Sequence, residues 1–151
     1  MLKPSKKMLF AIEAVLDIAY HAGGEPVQSR EITRRQGIPR RYLEQTLQQL
    51  VRAGILVGVR GPRGGYRLAR ERRRISVGEI VRVVRALESL EDGAEEPAAS
   101  ALGRQVIRPM WNELGEEIMA RLDGISIDEL CMRAYRDGVP SEAALKLDFT
   151  I

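Results

Sequence analysis

A mainly α-helical fold with one small β-hairpin follows from three features of the sequence. Apolar residues recur at helical spacing along most of the chain. Two short β-branched runs, "ILVGVR" and "YRLAR", interrupt that periodicity, and the glycine-rich turn "GPRGG" joins them. At 151 residues there is room for one domain with a proper core, or for a small domain plus an interaction element.

The first helix is marked by Met8, Ala11, Ile12, Val15, Ile18 and Ala19 and is stopped by "AGGEP", so it spans about Ser5 to Ala22. Ser29 is placed as the N-cap of a short helix that runs through Ile32 and ends at Gly37. That brevity suits the first helix of a helix-turn-helix. In "GIPRRYLEQTLQQLVRAGIL", Pro39 falls near the first turn of a third helix and Gly54 just past the last. Leu43, Leu47, Leu50 and Val51 form its buried stripe. Arg40, Arg41, Glu44, Gln45 and Gln48 share the opposite face. Arg and Gln can each read a base edge with two hydrogen bonds, although a polar outer face taken alone also fits an ordinary solvated helix.

The hairpin decides between those readings. Three helices followed by a β-hairpin make the winged variant of the helix-turn-helix. The expected wing has Gly64 and Gly65 at its tip, where positive φ and close backbone approach are needed, and Pro62 to stiffen it. Arg60, Arg63, Arg67 and Arg70 load it with charge, of a kind that enters a narrow minor groove.

After Arg72, Arg73 and Arg74, Ser76 and Glu79 form a capping box. Val77, Ile80, Val81, Val84 and Leu87 then carry a fourth helix. The acidic stretch from Glu88 to Glu96, closed by Pro97, is expected to be an exposed loop. A long helix follows from about Ser100 to Leu122, with Leu102, Trp111, Leu114, Ile118 and Leu122 on one side. Pro109 should kink it or delay its regular start. Trp111, Leu114, Ile118 and Leu122 are the candidate dimer interface; packing within one chain fits the stripe nearly as well, and the dimer is favoured because a small helix-turn-helix unit usually needs a two-fold partner for useful specificity. "ISIDELCMRAYRDG" reads as a final short helix with a second capping box at Ser126 and Glu129, and from Val139 on no element is assigned. The division is residues 1–75 as a winged helix-turn-helix and residues 76–151 as a helical dimerisation and sensing region, with the first helix contributing to the dimer.

The net charge of +3 conceals an asymmetry. Residues 1–74 hold 16 basic and 6 acidic side chains, a balance of +10, whereas residues 75–151 hold 8 and 15, a balance of −7. A polyanion-binding front half is implied. No apolar run reaches membrane-spanning length, and Glu13 and Asp17 interrupt the segment after the basic start, so a cytoplasmic location without membrane contact is expected. With one cysteine, Cys131, and one histidine, His21, the chain has no internal disulfide, no zinc finger and no all-cysteine cluster of its own. Neither a metal nor a cofactor is expected. Cys131 shares a helical face with Ile127, Leu130 and Ala134 and reads as a core thiol, and His21 as a capping or surface residue. No enzyme motif links the two.

The segments "ITRRQGIPRRYLEQTLQQLVRAGIL", "RGPRGGYRL" and "ISVGEIVRVV" together resemble the Rrf2 family of bacterial winged-helix regulators over most of the chain. The resemblance implies a homodimer on palindromic promoter sites, with the long helix forming much of the interface. It carries roles onto Arg41, Tyr42, Glu44 and Gln45 of the recognition helix and onto Arg60 of the wing. Cluster-binding members place three cysteines between the fourth and the long helix. Here "LESLEDGAEEPAASALGRQV" has none, and Arg108 stands nearest the position of a further cluster ligand. The chain is therefore similar to the cluster-free branch, whose members respond to a protein partner or a small molecule.

The sequence thus predicts a sequence-specific regulator, a repressor, on double-stranded DNA. Arg41, Glu44 and Gln45 would read bases beside Arg40, while Arg60, Arg63, Gly64 and Gly65 hold the minor groove. Lys6, Lys7, Arg34 and Arg35 would meet phosphate. The competing class is a winged-helix interaction module that docks an acidic protein on the same basic face.

Overall fold

The computed structural model describes residues 3–93 and 96–143. Helix α1 (Lys6–His21) is followed by α2 (Ser29–Gln36), α3 (Arg40–Arg52), strands β1 (Leu56–Val59) and β2 (Gly65–Leu68), α4 (Val77–Asp92), α5 (Arg108–Asp123) and α6 (Ile127–Arg136). Ser5 caps α1, its hydroxyl accepting from the Met8 amide at 3.2 Å. Around α1 are packed α2, α3, α4 and α6. Ala11, Ala14, Val15 and Ile18 of α1 are fully buried against Ile32, Leu43, Leu47, Leu50, Ile80 and Ile127. One continuous core therefore joins the first three helices to α4 and α6. Val51, expected in the buried stripe of α3, is only half-buried.

Several boundaries differ from expectation for identifiable reasons. The cap of α2 is Gln28, not Ser29: its amide donates to the Glu31 carboxylate at 2.9 Å, which pulls the helix start back one residue. The acidic residues 88–92 belong to α4 rather than to a loop. Lys7 meets Glu91 at 2.6 Å and the Ser5 hydroxyl donates to Glu88, so the basic start of the chain holds the acidic end of α4 in place. Before α5, residues Gly103–Ile107 form a π turn in which the Arg108 amide reaches back to the Gly103 carbonyl. Pro109 explains it. Proline has no amide to donate and its ring crowds the carbonyl four residues earlier, and the wider turn relieves both.

Strands β1 and β2 pair antiparallel, Leu56 opposite Leu68 and Val59 opposite Gly65. A third strand-like contact was not legible in the sequence: Val27 and Tyr66 exchange both backbone hydrogen bonds at 2.8 Å, tying the wing to the segment before α2. That contact accounts for Gly65, where any Cβ would collide with the Val27 carbonyl. Gly64 does not need positive φ, as was expected of it; a Cβ there would strike the Val59 carbonyl. Positive φ falls on Gly65, as expected, at 157°, and on Gly61, at 111°. Among the described residues no helix is long and apolar enough to cross a membrane.

Candidate nucleic-acid interface

Gly37, in the left-handed conformation at φ 66°, ends α2, and Pro39 starts α3 after a three-residue turn. The burial of Leu43, Leu47 and Leu50 then fixes the rotation of α3. Its outer face follows from that rotation: Arg40, Arg41, Glu44, Gln45 and Gln48 are all exposed. Arg40 bonds Glu44 one turn on at 2.9 Å. Arg41, Gln45 and Gln48 have no hydrogen-bond or ion-pair partner among the described residues, so their donors face solvent. Tyr42 is 44% exposed, with the Lys7 ammonium 5.9 Å from its ring centroid. Beside α3 the wing presents Arg60, Arg63 and Arg67, likewise exposed and unpaired among the described residues. Arg70, at its base, turns back instead to Glu79 of the α4 capping box at 2.9 Å. Burial raises the Glu79 carboxyl, but bonds from the Ser76 amide and Arg70 outweigh that and hold it below the usual carboxylate range.

Three of the four expected phosphate contacts, Arg35, Arg34 and Lys7, are engaged elsewhere. The side chain of Arg35 is only 11% exposed. It grips Asp17 through two bonds of 2.8 and 2.9 Å and Glu142 through a third of 2.7 Å, and the Asp17 bond raises its already high pKa. Gln36 donates a third bond to Asp17 at 2.8 Å. Arg35 is therefore a structural residue, and the signal for it was the lone acid Asp17 on the apolar face of α1. Arg34 is exposed but pairs with Glu142 at 3.0 Å. Lys7 is drawn to Glu91, whereas Lys6 is exposed. His21 is not at the surface: it lies buried beside Asp17, its Nδ1 accepting from the Glu142 amide at 3.1 Å, and burial lowers its pKa.

On the far side, α5 leans on α4 through Arg82 and Asp123, paired at 2.6 and 2.7 Å, and through Gly78, where a Cβ would meet Asp123. An open groove of about 1180 Å³ separates the two helices, with Trp111, Met119 and Arg85 in its walls. Trp111, Leu114 and Ile118 are 41 to 47% exposed, and Leu122 is half-buried.

A helix-turn-helix whose third helix and wing both present arginine to solvent defines a winged-helix DNA-binding protein. The chain belongs to the Rrf2 family, described as "Iron-dependent Transcriptional regulator", which it matches over residues 4–133. It is 37% identical over 130 residues to the HTH-type transcriptional regulator IscR of Aliivibrio salmonicida, covering 85% of this chain and 77% of that one. To IscR of Photobacterium profundum it is 33% identical over 154 residues, covering 96% and 88%. Among solved structures, IscR of T. potens superposes with a TM-score of 0.72 at 34% identity over 92% of this chain and 93% of that one. CymR, the global cysteine regulator of B. subtilis, does so at 0.68 and 26% over 88% and 98%. The protein is a DNA-binding transcriptional regulator, not an enzyme.

The family description raises iron, and the donor set of this chain does not fit an iron-sulfur cluster. Cys131, its one cysteine, is 2% exposed within the α6 side of the core, where burial pushes the thiol pKa up. Between α4 and α5 the described residues supply no sulfur or imidazole, and Arg108 donates to the Glu96 carbonyl at 2.7 Å. No group of three or more His, Cys, Asp or Glu among the described residues could hold a metal ion.

Proposed function

We propose that the chain is a cytoplasmic homodimeric repressor that binds a palindromic operator without an iron-sulfur cluster. Residues 1–75 form its DNA-binding unit and residues 76–151 its dimerisation and sensing region. The observation that carries this reading is α5, a helix of 16 residues with none buried, along which Met110, Trp111, Leu114 and Ile118 are exposed. A second copy laid on that stripe removes it from water and relates two α3 helices by a two-fold axis. Operators of this class repeat their half-sites about one helical turn apart, matching that symmetry.

In each half-site α3 enters the major groove, with Arg41, Glu44 and Gln45 at base edges. Arg60 and Arg63 follow the wing into the flanking minor groove. Tyr42 and Lys6 contribute at the edge of the footprint, and Arg34 joins them where it is released from Glu142. The cluster-free reading is supported by the missing thiolates, and the signal then comes from a protein or small-molecule effector. Selection of genomic fragments by purified, metal-free protein at near-physiological salt tests this. One enriched palindromic motif is the expected result. No enrichment by a folded, dimeric protein would overturn cofactor-independent operator binding.

A further inference from the structure

Between the start of α2, the start of α3 and the wing lies an open recess of about 530 Å³ whose lining includes Arg30, Thr33, Arg40, Gly61, Gly64 and Gly65. Two guanidinium groups stand on it, each held by a single nitrogen. Arg30 donates through Nε to the Gln28 side-chain oxygen at 2.7 Å, and Arg40 through Nε to Glu44 at 2.9 Å. Gln28 in turn donates to the Pro62 carbonyl at 3.4 Å, so the wing tip, the cap of α2 and Arg30 form one connected series. The terminal nitrogens of both arginines have no acceptor among the described residues. Thr33 Oγ1, buried in the wall, has no partner there either. No carboxylate lines the recess. The first amides of α2 lack intrahelical acceptors, as at any helix start.

We propose that this recess clamps a backbone phosphodiester of duplex DNA. The inference rests on the DNA-binding reading and extends it to Arg30, which no base-reading role uses. The occupant follows from position. If α3 lies in a major groove and the wing in the adjacent minor groove, the sugar-phosphate strand dividing those grooves must cross the surface between them, and the recess is that surface. Its chemistry agrees: donors and positive charge converge with almost no acceptors, which suits an anion and not the mixed edge of a base.

Duplex binding by the full chain is measured as a function of salt for the wild type, Arg30→Ala, Arg30→Lys and Arg40→Ala, with Arg133→Ala on exposed α6 as control. Each alanine in the recess should lower the slope of log K against log salt by about 0.9 and weaken binding about fivefold at 0.15 M salt. The loss should be equal on selected and unrelated sequences, with Arg30→Lys retaining most of the binding. A neutral methylphosphonate at the clamped position should abolish the difference between wild type and Arg30→Ala. Unchanged slopes, or a loss confined to one base position, would overturn the clamp while leaving operator recognition standing. A wild type that binds no duplex at low salt would overturn both. Competition by inorganic phosphate beyond its ionic strength would reassign the recess to a small anion.

Discussion

Helices α1 and α5 are both 16 residues long, yet α1 buries six of its residues and α5 buries none. Both carry apolar side chains at helical spacing. The difference is in what surrounds them: α1 is enclosed by four helices of its own chain, while α5 leans on α4 and turns Trp111, Leu114 and Ile118 to solvent. An amphipathic pattern thus reports that a face is to be covered without saying by what. For α1 the cover is intramolecular, and for α5 a second chain is the proposed answer.

The largest expected effect breaks the enclosed side. Asp17 is fully buried at its side chain and accepts from Arg35 and Gln36. Asp17→Ala leaves the largely buried Arg35 with Glu142 alone and removes the acceptor of Gln36, which should cost about 3 kcal/mol in urea denaturation. A cost below about 1 kcal/mol would show that the network is not part of the core. Next, Leu114→Asp combined with Ile118→Asp should leave the melting temperature of the chain's own core nearly unchanged but yield monomers by sedimentation. Operator binding should weaken at least about 30-fold, the equivalent of losing one interface hot spot of about 2 kcal/mol. Gln45→Ala should cost about 1 to 3 kcal/mol of operator affinity and relax preference at a single base pair. An Arg60→Ala protein with unaltered affinity would remove the wing from the footprint.

A smaller effect concerns pH. Burial holds the His21 imidazole below its ordinary value of 6.5, so the unfolded chain takes up that proton first. The stability contributed by neutral His21 is present above about pH 6.5 and is lost as the pH falls towards the folded-state value. Urea midpoints measured between pH 7.5 and 5.5 should decline, and His21→Gln should flatten the decline. Smallest of all, Cys131 should react with an alkylating reagent slowly in the native protein and rapidly in urea, as its burial and raised pKa require.

The order of elements, the outer face of α3 and the hairpin were legible because each rests on local rules: helical periodicity, glycine at a left-handed stop, and β-branched runs around a turn. The rest depended on tertiary partners. Nothing local distinguishes Arg35 from Arg34, yet one faces Asp17 across the α1–α2 contact and the other faces solvent. The acidic end of α4 looked like a loop because its stabiliser, Lys7, lies 84 residues away in sequence. Gly64 and Gly65 were correctly tied to close approach, but the surfaces approached, the Val59 and Val27 carbonyls, are visible only in three dimensions. The recess at Arg30 was missed for a related reason: it gathers residues from α2, α3 and the wing, none of which forms a motif alone.

The central claim is that the α5 stripe is one half of an interface that brings two reading helices onto one operator. Sedimentation equilibrium of the purified chain, alone and with a duplex carrying its selected motif, tests it most directly. The account predicts a dimer in both samples, two chains per duplex, and loss of both in the Leu114→Asp, Ile118→Asp variant. A monomer that binds the same duplex one to one, with affinity unaffected by those substitutions, would contradict it.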